Sequence, residues 1–102
     1  MISEDIKLRI LNAKKIQEER LSLIGKLSNS EMSSNECDEL VKMEPSAEKL
    51  LKSILEKSIV SPRTYYRIIK VAQTIADLEN SKIIKEPHIS EAFSLRMREN
   101  KS

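Results

Sequence analysis

Few side chains in this sequence are placed to do chemistry, and the best placed are two arginines. In Val60-Ser61-Pro62-Arg63-Thr64-Tyr65-Tyr66-Arg67 a serine stands where a helix N-cap is wanted. A proline follows at the first helical position, where its missing N–H costs nothing. Arg63 falls on the first turn and Arg67 one turn further on. A guanidinium there offers phosphate oxygens a permanent charge and a two-pronged donor set, beside a helix N-terminus that itself favours anions. The chemistry this suits is phosphate binding. On a wheel of about 100° per residue, Arg63, Arg67 and Lys70 lie within roughly 60° of one another. The opposite, apolar face carries Tyr65, Ile68, Val71, Ala72, Ile75 and Ala76. Arg63 either reaches a phosphate brought by a partner domain or lies on a solvated face, and pattern alone favours the second.

Other chemistry finds little support. A phosphate-cradling G-x-x-x-x-G-K-[ST] loop is impossible with one glycine, so the chain is not a self-sufficient nucleotide hydrolase. His88 is the only histidine and Cys37 the only thiol, which excludes a zinc site of ordinary composition. Cys37 reads as a small residue on a short helix, with nothing near it in sequence to lower its pKa. His88, just after Pro87, reads as a surface or half-buried first-turn residue. No nucleophile and base recur at a recognisable spacing. A helix-turn-helix remains open: a helix over residues 46–58, a turn at Ile59-Val60-Ser61, and a second helix presenting Arg63, Thr64 and Arg67 to DNA. Its weaknesses are a turn without glycine and a near-neutral charge. A helical protein-interaction module is the third possibility.

The elements that must hold these residues are helices. A single glycine in 102 residues is too few for the turns and bulges of a sheet protein. Ser3, then Glu4 and Asp5, opens a long helix over residues 3–23 with a stripe of Ile6, Ile10, Ala13 and Ile16, ended by Gly25. Residues 26–33 are polar and read as loop. A short helix is expected over residues 35–42, capped by Ser33 or Ser34. Ser46 is the expected N-cap of the next helix, whose stripe is Leu50, Leu51, Ile54 and Leu55. The Ser61-capped helix runs to Asn80-Ser81. Ile83-Ile84 forms a short apolar connection, and Pro87 starts a last helix with Ile89, Ala92, Phe93 and Arg96 on one side, before a frayed tail over residues 97–102. The expected architecture is all-α: a small bundle of four main helices plus one short one, forming one domain over residues 1–102.

The bulk composition adds limits. Charged residues make up 33%, yet 18 basic and 16 acidic side chains leave a net charge of only +2, too balanced to argue for nucleic acid without local clustering. A lone cysteine fits a reducing compartment, and the cytoplasm is the expected location. No run of about 18 apolar residues predicts a membrane span, and the first residues lack the pattern of a signal peptide.

The order Ser61-x-Arg63-x-Tyr65-x-Arg67-Ile68-x-Lys70-Val71-Ala72-x-Thr74-Ile75-Ala76-Asp77-Leu78, followed by Ser81, Ile84 and His88-Ile89-x-Glu91-Ala92, resembles the C-terminal domain of magnesium-chelatase-like AAA+ ATPases of the ComM (YifB) type. The likeness is strongest over residues 60–92. Ala13 and Gln17 resemble the helix leading into that domain, residues 1–24 here, while residues 32–59 agree in pattern only. The resemblance implies a helical lid packed beside an α/β nucleotide-binding core that lies outside this chain. It implies that Arg63 is the sensor-two arginine on the γ-phosphate of ATP with Mg2+, and makes Arg67 a candidate for the same site. It further implies neighbouring subunits in a homo-oligomeric ring, expected to be a hexamer, and a parent linked to DNA processing in natural transformation. The fragment alone is expected neither to hydrolyse ATP nor to hold a cofactor. Members of the family usually carry Ala at Pro62, His at Tyr66, and Arg at Lys14 and Gln73. The loss of arginine at Gln73 weakens the case for a basic interface on this helix.

Overall fold

The computed structural model describes residues 3–57 and 61–99, the last four as helical backbone only. Ile59 and Val60 of the expected turn lie outside the described residues, as do residues 100–102 of the expected tail. Arg96 lies outside the described side chains.

Among the described residues five α-helices carry the fold, with two single 3-10 turns between the first and the second. α1 is Glu4–Leu21, α2 Ser34–Leu40, α3 Pro45–Lys57, α4 Pro62–Leu78 and α5 Glu86–Glu99; the 3-10 turns are Ser22–Ile24 and Asn29–Glu31. Most of the starts are written in side chains. The Ser3 hydroxyl accepts the Ile6 N–H, and the Ser61 hydroxyl accepts the Thr64 N–H with Pro62 in the first turn. α3 starts one residue before the expected cap: Pro45 opens it and Glu48 N–H donates to the Glu44 carbonyl at 3.0 Å. Proline at the first helical position loses no bond there. Gly25 (φ 67°) and Asn80 (φ 58°) take the left-handed conformation that ends a helix cheaply only in such residues.

α4 is the hub. It packs against α5, α1, α2 and the Asn29–Glu31 turn, while α3 rests on α5. The core joins Ile68, Ile69, Ala72 and Ala76 of α4 to Ile89 and Ala92 of α5, Ala47 and Leu51 of α3, and Leu21, Met32, Cys37 and Ile84. Its fourfold supply of alanines lets helices approach closely. Between α2 and α3 the chain touches the segment before α5 in one parallel bridge: Ile84 N–H donates to the Lys42 carbonyl and Glu44 N–H to the Ile84 carbonyl, both at 2.9 Å.

Three expectations need correcting. The buried face of α4 is turned relative to the periodic reading: Gln73 and Asp77 are buried and Val71 is 39% exposed, because α1 and the 3-10 turn cover the flank bearing Gln73 and Asp77. Residues 26–33 are not simply loop. Asn29 and Met32 are both 1% exposed, and Ser28 and Glu31 form a reciprocal capping box that folds the segment into the core. The stripe expected on α1 is buried only at Ala13, while Ile6 is 48% and Ile10 37% exposed.

Candidate functional site

Arg63, Arg67 and Lys70 stand one and two turns apart on α4, and the structure brings them to one side of it as expected. They line an open groove of about 500 Å3 together with Ser30, Ser34, Pro62 and Tyr66. Both arginines are exposed, and among the described residues neither has a carboxylate partner. Lys70 is tethered: its Nζ donates to the Ser30 carbonyl at 3.3 Å. The Tyr66 hydroxyl donates to both Asp38 carboxylate oxygens, at 3.2 and 3.3 Å, and its ring meets Tyr65 edge-on with centroids 4.9 Å apart. Burial, and then the Asp38 charge, push the Tyr66 phenol above its usual range, so it stays a neutral donor.

The groove wall opposite α4 comes from Ser30 and Ser34, which belong to the segment read as loop and to the first turn of α2. Their local signal was present: Ser28-x-x-Glu31 and Ser33-x-x-Glu36 are two consecutive capping-box patterns. Both boxes form. Glu36 also accepts from Lys26 Nζ at 2.6 Å.

What fixes that wall is a buried polar cluster nearer the C-terminal end of α4, where Asn29 reaches Thr74 and Asp77. Asp77, fully buried, accepts both prongs of Arg20 at 2.7 and 2.9 Å, Asn29 Nδ2 at 3.0 Å and Gln73 Nε2 at 3.1 Å. Asn29 in turn donates to Thr74 Oγ1 at 3.0 Å, accepts from Arg20 at 3.0 Å, and gives its backbone N–H to Gln17 at 3.2 Å. Three segments, α1, the Asn29–Glu31 turn and α4, are joined around a carboxylate whose two oxygens both accept, which is the condition for a buried charge to be tolerated. Gln73 is thus a buried donor inside the bundle. Its departure from arginine says nothing against a basic face, because it does not belong to that face.

His88 and Cys37 take structural places. His88 is 2% exposed, deeper than expected. Its Nδ1 accepts the Lys85 N–H at 2.8 Å, which leaves Nε2 to carry the proton toward Glu79 Oε1 at 3.2 Å. Cys37 is 2% exposed and burial pushes its thiol up, the opposite of an activated nucleophile. Among the described residues no three His, Cys, Asp or Glu side chains gather to hold a metal. The groove suits phosphate oxygens: its lining offers three cations and three hydroxyls and no carboxylate. As for a helix-turn-helix, α3 packs on α5 more than on α4, so the pair lacks the mutual packing that positions a recognition helix. No helix of the described residues is long and apolar enough to cross a membrane.

Residues 1–96 match the family model described as magnesium chelatase, subunit ChlI C-terminal. Competence protein ComM of Haemophilus influenzae is 34% identical over 94 residues, 92% of this chain and 18% of that protein. YifB of Escherichia coli is 33% identical over 94 residues, again 92% of this chain and 18% of that protein. The chain therefore spans less than a fifth of the length of these relatives. Among solved structures there is no match.

Proposed function

The chain belongs to the family of magnesium chelatase subunit ChlI C-terminal domains, and on that premise we propose that it is the helical lid of an AAA+ ATPase in which Arg63 meets the γ-phosphate of ATP. The observation that carries this reading is the groove at the start of α4, where Arg63, Arg67 and Lys70 converge without a carboxylate among the lining residues. The Ser61 cap and Pro62 fix where α4 begins, and so fix Arg63 on its first turn. There its charge adds to the dipole of a 17-residue helix, in the direction that favours an anion. Arg67 lies about 6 Å further along the axis, within reach of the same phosphate chain or of a neighbouring subunit. The Ser30 carbonyl restrains the Lys70 ammonium, so the groove keeps a fixed charge even when empty of ligand. ATP binds with Mg2+, which neutralises phosphate charge; the lining has no carboxylate for the ion, so the nucleotide-binding core would carry it. Because α4 is also the hub of the bundle, a pull on Arg63 is transmitted to α1 and α5 as a movement of the whole lid. In this reading the parent forms a homo-oligomeric ring and acts in DNA processing, the latter suggested by its relative, Competence protein ComM.

The test is Arg63→Ala in the polypeptide that joins this domain to its nucleotide-binding core. ATP turnover should fall at least about tenfold, since a preorganised charge at the transferring phosphate is lost, while the helical circular-dichroism signal stays unchanged. Wild-type turnover together with wild-type nucleotide-dependent assembly would remove the assigned role.

A further inference from the structure

α1 carries a second face that the bundle does not use. Glu4, Leu8, Leu11 and Lys15 follow the spacing 4, 3, 4 and so fall within an arc of about 60°, roughly opposite Ala13, Arg20 and Leu21, which face the core. Leu8 is 62% and Leu11 63% exposed, more than Ile6 or Ile10 on the bundle side. Glu4 and Lys15 are exposed and enter no ion pair among the described residues. The stripe reads acid, leucine, leucine, base, and it is complementary to itself when reversed. Two such helices laid antiparallel, with the two-fold axis between residues 9 and 10, set Leu8 against Leu11 of the other copy and Glu4 against Lys15 at both ends.

We propose that this face of α1 pairs with the same face of a second copy of the chain, forming an antiparallel helix dimer. The stripe spans only about 16 Å, so the contact is small and the dimer weak, with Kd on the order of 0.1–1 mM. The pairing is isologous and closes at two, so it is distinct from the head-to-tail contacts that build a ring. It needs no nucleotide and leaves Arg63 free, and therefore holds or fails independently of the lid reading.

Sedimentation velocity of the chain from about 20 µM to about 1 mM should show a reversible shift from monomer to dimer. Leu8→Glu with Leu11→Glu, both at exposed positions, should abolish the shift with the helical signal retained. Glu4→Lys should weaken association by about tenfold, and Glu4→Lys with Lys15→Glu should restore it, because the two ends then attract again. Under mild oxidation, a mixture of Leu8→Cys and Leu11→Cys chains should cross-link faster than either alone; Cys37 is buried and stays out of the reaction. A monomer at every concentration overturns the proposal, and so does association that survives Leu8→Glu with Leu11→Glu. Faster self-linking of the Leu8→Cys chain overturns it as well, since that is the signature of parallel pairing. So does capture of the stripe by a separately produced nucleotide-binding core while the chain itself stays monomeric.

Discussion

Asp77 is the residue on which the arrangement of the site most depends, although it lies about 21 Å further along α4 than Arg63. It is fully buried and accepts from Arg20, Asn29 and Gln73, and Asn29 begins the turn that supplies Ser30 to the groove. Asp77→Ala leaves a guanidinium that is only 14% exposed without its carboxylate partner, and takes an acceptor from the Asn29 and Gln73 amides. The expected loss is about 3–5 kcal/mol of unfolding free energy in urea titrations. Arg20→Met alone should be similarly severe, whereas Arg20→Met with Asp77→Leu should cost less than the sum, because no charge is then stranded. Strictly additive losses would count against a coupled cluster. None of these four residues stands out in the sequence. Arg20 and Asp77 are separated by 57 positions, and hydrophobic periodicity marks apolar faces only, so a buried polar face reads as solvent. Arg63 and Arg67 were legible for the opposite reason: a serine cap followed by proline is a local signal that fixes the first turn.

At the scale of the element, the fold rests on caps, and two of them are carboxylates. Hydrogen bonds from the Leu27 and Ser28 N–H groups hold the Glu31 carboxyl below its ordinary range. The Lys26 ammonium, and then the Ser33 N–H, do the same for Glu36. Both folded pKa values lie below the unfolded ones, so the unfolded chain binds more protons across the carboxylate range. The stability these caps contribute is present above that range and lost as pH falls through it toward the depressed folded values. Melting temperature should therefore drop between about pH 6 and about pH 3, and the drop should be shallower in Glu31→Gln with Glu36→Gln, as followed by circular dichroism. An unchanged pH profile in that variant would show the caps to be energetically silent. Helix type and number were readable from the sequence, down to the short α2, because glycine scarcity, stripes and serine caps agree. The 28–33 segment was not, since its composition is that of a loop. What turns it inward is the pair of reciprocal capping boxes, which free Asn29 and Met32 to enter the core.

The whole molecule has a radius of gyration of 13.8 Å, close to the ~13 Å of a 100-residue globule, yet its cohesion is uneven. α4 carries six buried residues, at Ile68, Ile69, Ala72, Gln73, Ala76 and Asp77, and α3 and α5 close over the rest of the core. α1 buries only Ala13 and Leu21 and is fastened near its end by Arg20. No described residue before Ala13 is buried, so residues 3–12 form a helix with little tertiary support. Helices of that length are marginal by themselves. The regular stripe of α1 is buried over only part of its length for this reason: periodicity reports an amphipathic helix but not how far along it the rest of the bundle reaches. Amide hydrogen exchange at about 10 µM, well below the expected dimer Kd, should expose the gradient. Residues 6–12 should exchange orders of magnitude faster than residues 68–76, whose opening requires global unfolding. At about 1 mM the pairing of the Leu8–Leu11 face should slow the first group selectively and leave the second unchanged. Equal protection of both groups in the dilute sample would mean that the first half of α1 is held within a single copy far more firmly than its bond from Asn12 Nδ2 to Asn80 Oδ1, at 3.2 Å, accounts for.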